Sequence, residues 1–181
     1  AGGWLNEARI SSCSPVPLSL EQIEHALKHH RPRRKMLRAL MLRSAVAMIV
    51  REQRGRCEIL MIKRAERRGD PWSGHMAFPG GRMEQADRQG LDVAKRETHE
   101  EIGLALGQDE PCIGRLSEIT ARPRLLHRRA MVVTPYMFTL SRDVEFEPNY
   151  EVAEVVWVPV DFLNDHGNRE TMQWKRDKVP I

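Results

Sequence analysis

Three carboxylates stand within the five residues Glu97-Thr98-His99-Glu100-Glu101, directly after Arg96. On an α-helix, at ~100° per residue, Glu97, Glu100 and Glu101 fall on one arc of roughly 100°. Carboxylates this close repel one another and raise each other's pKa values. A divalent cation removes that penalty. Mg²⁺ prefers oxygen ligands, keeps several waters and binds substrate phosphates at the same time. The chemistry in view is therefore metal-assisted work on a phosphorylated ligand. The same residues also read as a solvated helix face, with Arg96 and Glu100 at ion-pair spacing. Against that reading, negative charge near a helix C-terminus is disfavoured by the macrodipole.

The elements that must position these groups are legible around them. Residues 89–103 have helical periodicity and stop at Gly103. Leu91, Ala94, Thr98 and Ile102 share a face that suits packing on a sheet. Before the helix comes Phe78-Pro79-Gly80-Gly81, whose glycines let backbone carbonyls approach the carboxylate face. Apolar runs at 45–50 and 59–62, joined around Gly55, predict a hairpin. Further strands are expected at 131–140 and 154–158, with a short helix whose first turn holds Pro159. Residues 11–18 read as a loop. Ser19 and Gln22 have capping-box spacing and open a helix over 20–30, stopped by Pro32. The Arg- and Lys-rich stretch 31–38 is expected to be a solvated connector rather than a phosphate site. Strands on both sides of one strong helix indicate an α/β or α+β domain with a mixed sheet.

Bulk properties narrow the function classes. A chain of 181 residues suits one domain with a short extension. An apolar content of 41% can bury a core, which excludes a disordered chain. The net charge of +4 suits an anionic partner. No like-charge block resembles a nucleic-acid tail, and 6% aromatic residues offer little stacking surface, so nucleic acid is not expected as a partner. Cys13, Cys57 and Cys112 form no Cys-x-x-Cys pair, so neither a disulfide framework nor a zinc site is expected. A reducing, cytoplasmic setting follows from that usage. No apolar run approaches the ~20 residues of a membrane span. Ala1-Gly2-Gly3-Trp4 lacks the features of a signal peptide.

At Gly81 and Arg96 the sequence resembles the Nudix family. Gly81 is followed by five residues and Asp87, then by eight residues and Arg96-Glu97-Thr98-His99-Glu100-Glu101-Ile102-Gly103-Leu104. The family pattern has Glu at the Asp87 position, one residue fewer in the second spacer, and an aliphatic residue at Thr98. Phe78-Pro79-Gly80-Gly81, with Gly74 four residues before Phe78, looks like the coenzyme A pyrophosphatase branch. Asp70, Pro71 and Trp72 replace part of that branch's basic pattern. Glu151-Val152 and Trp157-Val158-Pro159 resemble the family's closing strand. The resemblance runs from about residue 43 to about residue 163.

The resemblance implies an α/β/α sandwich with a mixed sheet, formed by residues 43–181 behind an N-terminal extension over 1–42. It implies Mg²⁺-dependent, or Mn²⁺-dependent, hydrolysis of a phosphoanhydride in a nucleoside diphosphate linked to another moiety, coenzyme A or a derivative among them. Alternatives are a non-catalytic nucleotide- or partner-binding module, and an RNA-end or nucleotide-pool hydrolase. Glu97, Glu100, Glu101 and the Gly81 carbonyl are the implied metal ligands. Glu97, Glu100 and Arg96 form the implied catalytic set, with Arg96 pairing with Asp87 or Glu100 to hold the loop on the helix. Candidates for the base are Glu97, Glu151 and Glu154. A homodimer is implied, and the chain is expected to be cut short near Ile181. Two further readings come from residue type. Arg124, His127 and Arg128, with Arg122 and Arg129, either hold substrate phosphates or form a solvated loop. His75 and Trp72 lie near the motif. His75 is a polar surface group or a catalytic one, while Trp72 packs in the core, anchors a loop or stacks on a base. His99 is expected to be exposed.

Overall fold

The computed structural model describes residues 18–70, 72–121 and 130–170. Strands β1 (Leu42–Gln53) and β2 (Arg56–Arg64) form the expected hairpin. Its turn is Arg54-Gly55, with φ of 52° and 72°. Positive φ at both central residues is the type I′ geometry that matches strand twist. Both strands outrun their apolar runs, because the ladder carries on into polar, exposed ends. Strand β7 (Met131–Thr139) lies parallel to β1 on its other side, from Leu42↔Met131 to Val50↔Thr139. Strand β8 (Val152–Pro159) is antiparallel to β2.

Four short strands complete the described sheet: β3 (Met76–Ala77), β4 (Gly80–Arg82), β5 (Cys112–Arg115) and β6 (Ile119–Ala121). The order is β3-β2-β1-β7-β5, with β4 on β1, β6 on β7 and β8 on β2. Pro135 lies inside β7 where it does no harm. Strand β6 pairs with residues 131–133 and β5 with residues 136–138, so the missing N–H falls between them.

A helix covers each face. Helix α2 (Gly90–Ile102) buries Val93, Ala94, Thr98 and Ile102. These pack with Ala45, Ala47, Ile49, Leu60 and Phe138 of the sheet. Helix α1 (Leu20–His29) sets Leu20, Ile23 and Leu27 against Val50, Cys57, Ile59 and Met137 on the opposite face. The result is the expected α/β/α sandwich with a mixed sheet. Ser19 and Gln22 make both bonds of the capping box, at 3.2 and 3.0 Å. Helix α3 (Val160–Asn164) follows β8. Pro159 is its N-cap rather than part of its first turn, because it still pairs with Glu58 in the ladder.

The basic stretch 31–38 is largely exposed, as expected of a solvated connector, but its backbone is pinned. The Arg33 N–H donates to Ser117 Oγ at 3.1 Å and the Lys35 N–H to Glu118 Oε2 at 2.7 Å. Arg38 pairs with Glu118 at 3.1 Å, where the glutamate side chain is fully buried. A buried carboxylate needs such partners, and they fix the segment to the sheet edge.

Candidate active site

Strand β1 is the floor of the site. The Ala47 N–H donates to the Pro79 carbonyl at 2.8 Å, and Gly80 and Gly81 pair with Val46 and Ala45. A Cβ on Gly80 would lie 2.7 Å from Val46 Cα. A Cβ on Gly81 would overlap the Glu97 carboxylate. Both positions therefore need glycine for close approach, one to the strand and one to the helix. The Ser44 hydroxyl donates to the Gly81 carbonyl at 2.5 Å and fixes its plane.

Arg96 ties this loop to α2. Its Nε and one terminal nitrogen donate to the two Asp87 oxygens at 3.2 and 3.0 Å. That nitrogen also reaches the Arg82 carbonyl at 3.1 Å. The other terminal nitrogen donates to Glu97 and Glu100, each at 3.0 Å. Arg96 thus contacts Asp87 and Glu100 together, where the sequence left the choice open. The guanidinium holds Asp87 below the usual carboxylate range, aided by the Glu84 N–H. Both first-half departures from the family pattern meet here: a shorter Asp, one residue further back in sequence, still makes a bidentate pair. Asp87 raises the Arg96 pKa above its ordinary value, with Glu97 adding to the effect.

The carboxylates sit in graded environments. The Glu100 side chain is 52% exposed. Burial raises Glu97, while Arg96 pulls it back down. Glu101 is only 5% exposed. Burial pushes it up to about 7, opposed by the Gly80 N–H and reinforced by Glu97. That N–H donates to Glu101 Oε2 at 3.0 Å. Thr98 is fully buried, and its hydroxyl donates to the Ala94 carbonyl at 2.7 Å. A hydroxyl satisfied within its own helix explains how Thr occupies an aliphatic position.

The end of α2 is closed by the segment before β8. Gly103 is left-handed at φ 73°. Asn149 donates from its side chain to the Glu100 carbonyl and from its backbone to the Glu101 carbonyl, both at 2.9 Å. Sequence reasoning missed Asn149; the only cue was that the last helical carbonyls need donors. Its Oδ1 accepts from the Glu151 N–H at 2.8 Å. The Glu151 charge reaches Glu101, as does that of Arg64. Glu154 is exposed on β8 opposite Lys63. Arg64 pairs with Asp70 at 3.0 Å, and Arg67 lies 3.6 Å from Glu151. Neither arginine was singled out from sequence, where they look like any strand-end cations.

His75 and His99 are exposed. Trp72 is 63% exposed, which rules out core packing. Its ring meets the His75 ring edge-on at 5.8 Å, and its backbone N–H donates to Asp70 Oδ1 at 2.9 Å. Arg122, Arg124, His127, Arg128 and Arg129 lie outside the described residues, as do residues 11–17 of the first loop and Ile181.

Among the described residues, no three His, Cys, Asp or Glu side chains converge as a ready metal cage. Glu97 and Glu100 face Arg96, and Glu101 faces the Gly80 N–H. The donor set still fits a hard divalent cation. It is all oxygen, it shares one helix face, and Glu101 is buried without a cationic hydrogen-bond partner.

These features define a carboxylate-bearing helix held against a glycine turn. The chain belongs to the Nudix family: a NUDIX domain matches residues 41–179. It is 36% identical over 109 residues to an uncharacterised protein of Schizosaccharomyces pombe, covering 56% of this chain and 32% of that one. It is 34% identical over 91 residues to the peroxisomal coenzyme A diphosphatase NUDT7 of Mus musculus, covering 50% of this chain and 36% of that one. The chain thus spans about a third of the length of these curated relatives. Its fold is that of a C. elegans Ap4A hydrolase solved as a binary complex, with a TM-score of 0.56, 16% identity, and coverage of 67% of this chain and 82% of that one. Among the described residues, no helix is long and apolar enough to cross a membrane.

Proposed function

We propose that this chain is a pyrophosphohydrolase that uses Mg²⁺, or Mn²⁺, to cleave a phosphoanhydride in a nucleoside diphosphate linked to another moiety. Coenzyme A or a derivative is the first candidate, supported by the similarity to a coenzyme A diphosphatase. The observation that carries the reading is the face of α2: Glu97, Glu100 and Glu101 beside the Gly81 backbone, behind the Asp87–Arg96 clamp. Glu97, Glu100, Glu101 and the Gly81 carbonyl would hold the cation. When bound, the cation would neutralise phosphate charge and make a water more acidic.

The chain's own residues divide the remaining work. In this reading the oxygen of a water adds to phosphorus, its proton passes to a carboxylate, and the anhydride P–O bond breaks. Glu97, on the carboxylate face, and Glu151, whose N–H is bonded to the helix-closing Asn149, are the favoured acceptors of that proton. Glu154 is a weaker candidate because it lies exposed opposite Lys63. Glu100 is the solvent-side carboxylate of the set. Arg96 is a positioning residue, since its guanidinium is spent on Asp87, Glu97, Glu100 and the Arg82 carbonyl. Arg124, His127 and Arg128 are proposed to bind substrate phosphates. A reducing cytosol is the proposed setting, supported by the free thiols Cys57 and Cys112.

A second reading, a non-catalytic nucleotide-binding module, draws on one observation. Glu97 and Glu100 are engaged by Arg96 rather than gathered round a point. The deciding experiment measures product release with Mg²⁺ from coenzyme A, ADP-ribose, NADH, diadenosine polyphosphates, nucleoside triphosphates and 5′-triphosphate RNA. Metal-dependent cleavage of a nucleoside diphosphate derivative supports the hydrolase. Silence across the panel from folded protein supports the binding module.

A further inference from the structure

Tyr150 is 77% exposed, and its ring has one described partner. The Arg67 guanidinium lies over the ring, 4.7 Å from its centroid. Arg67 also donates to the Tyr150 carbonyl at 3.3 Å and sits 3.6 Å from Glu151. The preceding residue, Asn149, is bonded to the carbonyls of Glu100 and Glu101. A large aromatic ring is thus held in solvent, one residue from the cap of the carboxylate helix. Core packing does not account for it, since none of its surroundings bury it. A flat, accessible ring is what base stacking requires, and a guanidinium on a ring face adds cation–π attraction.

We propose that Tyr150 is the stacking platform for the nucleobase of the ligand, with Arg67 as the residue that positions its ring. The proposal rests on the reading of the ligand as a nucleoside diphosphate derivative. It assigns the base to the β8 side of the site, where a diphosphate attached to the same nucleoside lies towards Glu100 and Glu101. The rival platform is Trp72. Its ring contacts His75 and its backbone N–H is tied to Asp70.

The test compares binding of AMP and ribose 5-phosphate, in which a hydroxyl replaces the base at C1, by calorimetry without metal. Wild type is expected to prefer AMP. Tyr150→Ala is expected to weaken AMP by about five- to a hundredfold while changing ribose 5-phosphate by less than about twofold. Tyr150→Phe keeps the ring and is expected to hold AMP affinity within about twofold. Far-UV circular dichroism checks that each variant folds. The proposal is overturned if wild type shows no preference for AMP, if Tyr150→Ala leaves AMP binding intact, or if both ligands weaken equally. Because no turnover is read, a silent hydrolysis panel together with Tyr150-dependent AMP binding would sink the hydrolase reading and leave this one standing.

Discussion

Thr98 shows how a departure from a family pattern is absorbed by one bond. Its hydroxyl is buried and satisfied by the Ala94 carbonyl, so the helix carries it at little cost. Thr98→Val removes the donor and keeps the shape, leaving a carbonyl that still accepts its helical N–H. The expected change in unfolding free energy is within about 1 kcal/mol, read by urea denaturation. A loss beyond about 2 kcal/mol would mean the hydroxyl holds something else. Glu101 makes the opposite kind of statement. Its pKa rises from an ordinary 4.5 to about 7 in the metal-free chain. A carboxyl raised on folding favours the protonated folded state. Its contribution is complete below about pH 4.5 and is lost as pH rises through about 7. The gap corresponds to about 3 kcal/mol as an order of magnitude. Metal-free protein should therefore lose stability between pH 5 and 8, and Glu101→Gln should flatten that slope. Equal slopes in the two proteins would refute the assignment.

Elements were legible in proportion to how local their cause is. Helix α2, helix α1 with its capping box and the Arg54-Gly55 hairpin depend on neighbours a few residues away, and periodicity or turn chemistry announces them. Strands β3 to β6 have two to four residues each and exist because distant strands offer them a ladder. Gly81 pairs with Ala45, for example, and nothing in the local pattern says so. The fixed course of residues 33–38 was hidden for the same reason, as it depends on Glu118. Helix α1 is itself a local structure with a distant role: Leu27 packs at 3.5 Å from where a Cβ of Gly114 would lie. Leu27→Ala should lower stability by about 1–3 kcal/mol, less than a fully buried leucine because Leu27 is only half-buried. A loss below about 0.5 kcal/mol, with α1 intact, would show that the helix does not help cover the sheet.

At the scale of the molecule, the two faces of the sheet divide the labour. One helix closes the far face, and the other buries its apolar side on the near face while setting three glutamates beside the glycine turn, from exposed Glu100 to buried Glu101. The carboxylates and the glycine turn were readable because they are contiguous in sequence. Asn149, Tyr150 and Arg67 were harder to read, since only the return of β8 along β2 brings them to the end of α2. The account stands or falls on that face acting as a metal-dependent site. Coenzyme A hydrolysis is the direct measurement, in Mg²⁺ and in chelator, for wild type and Glu101→Gln. The account predicts turnover by wild type in Mg²⁺ only, and a fall of about 100-fold or more in the variant, the loss of several kcal/mol of charge stabilisation. Turnover that persists in chelator, or a Glu101→Gln variant as fast as wild type, would contradict it.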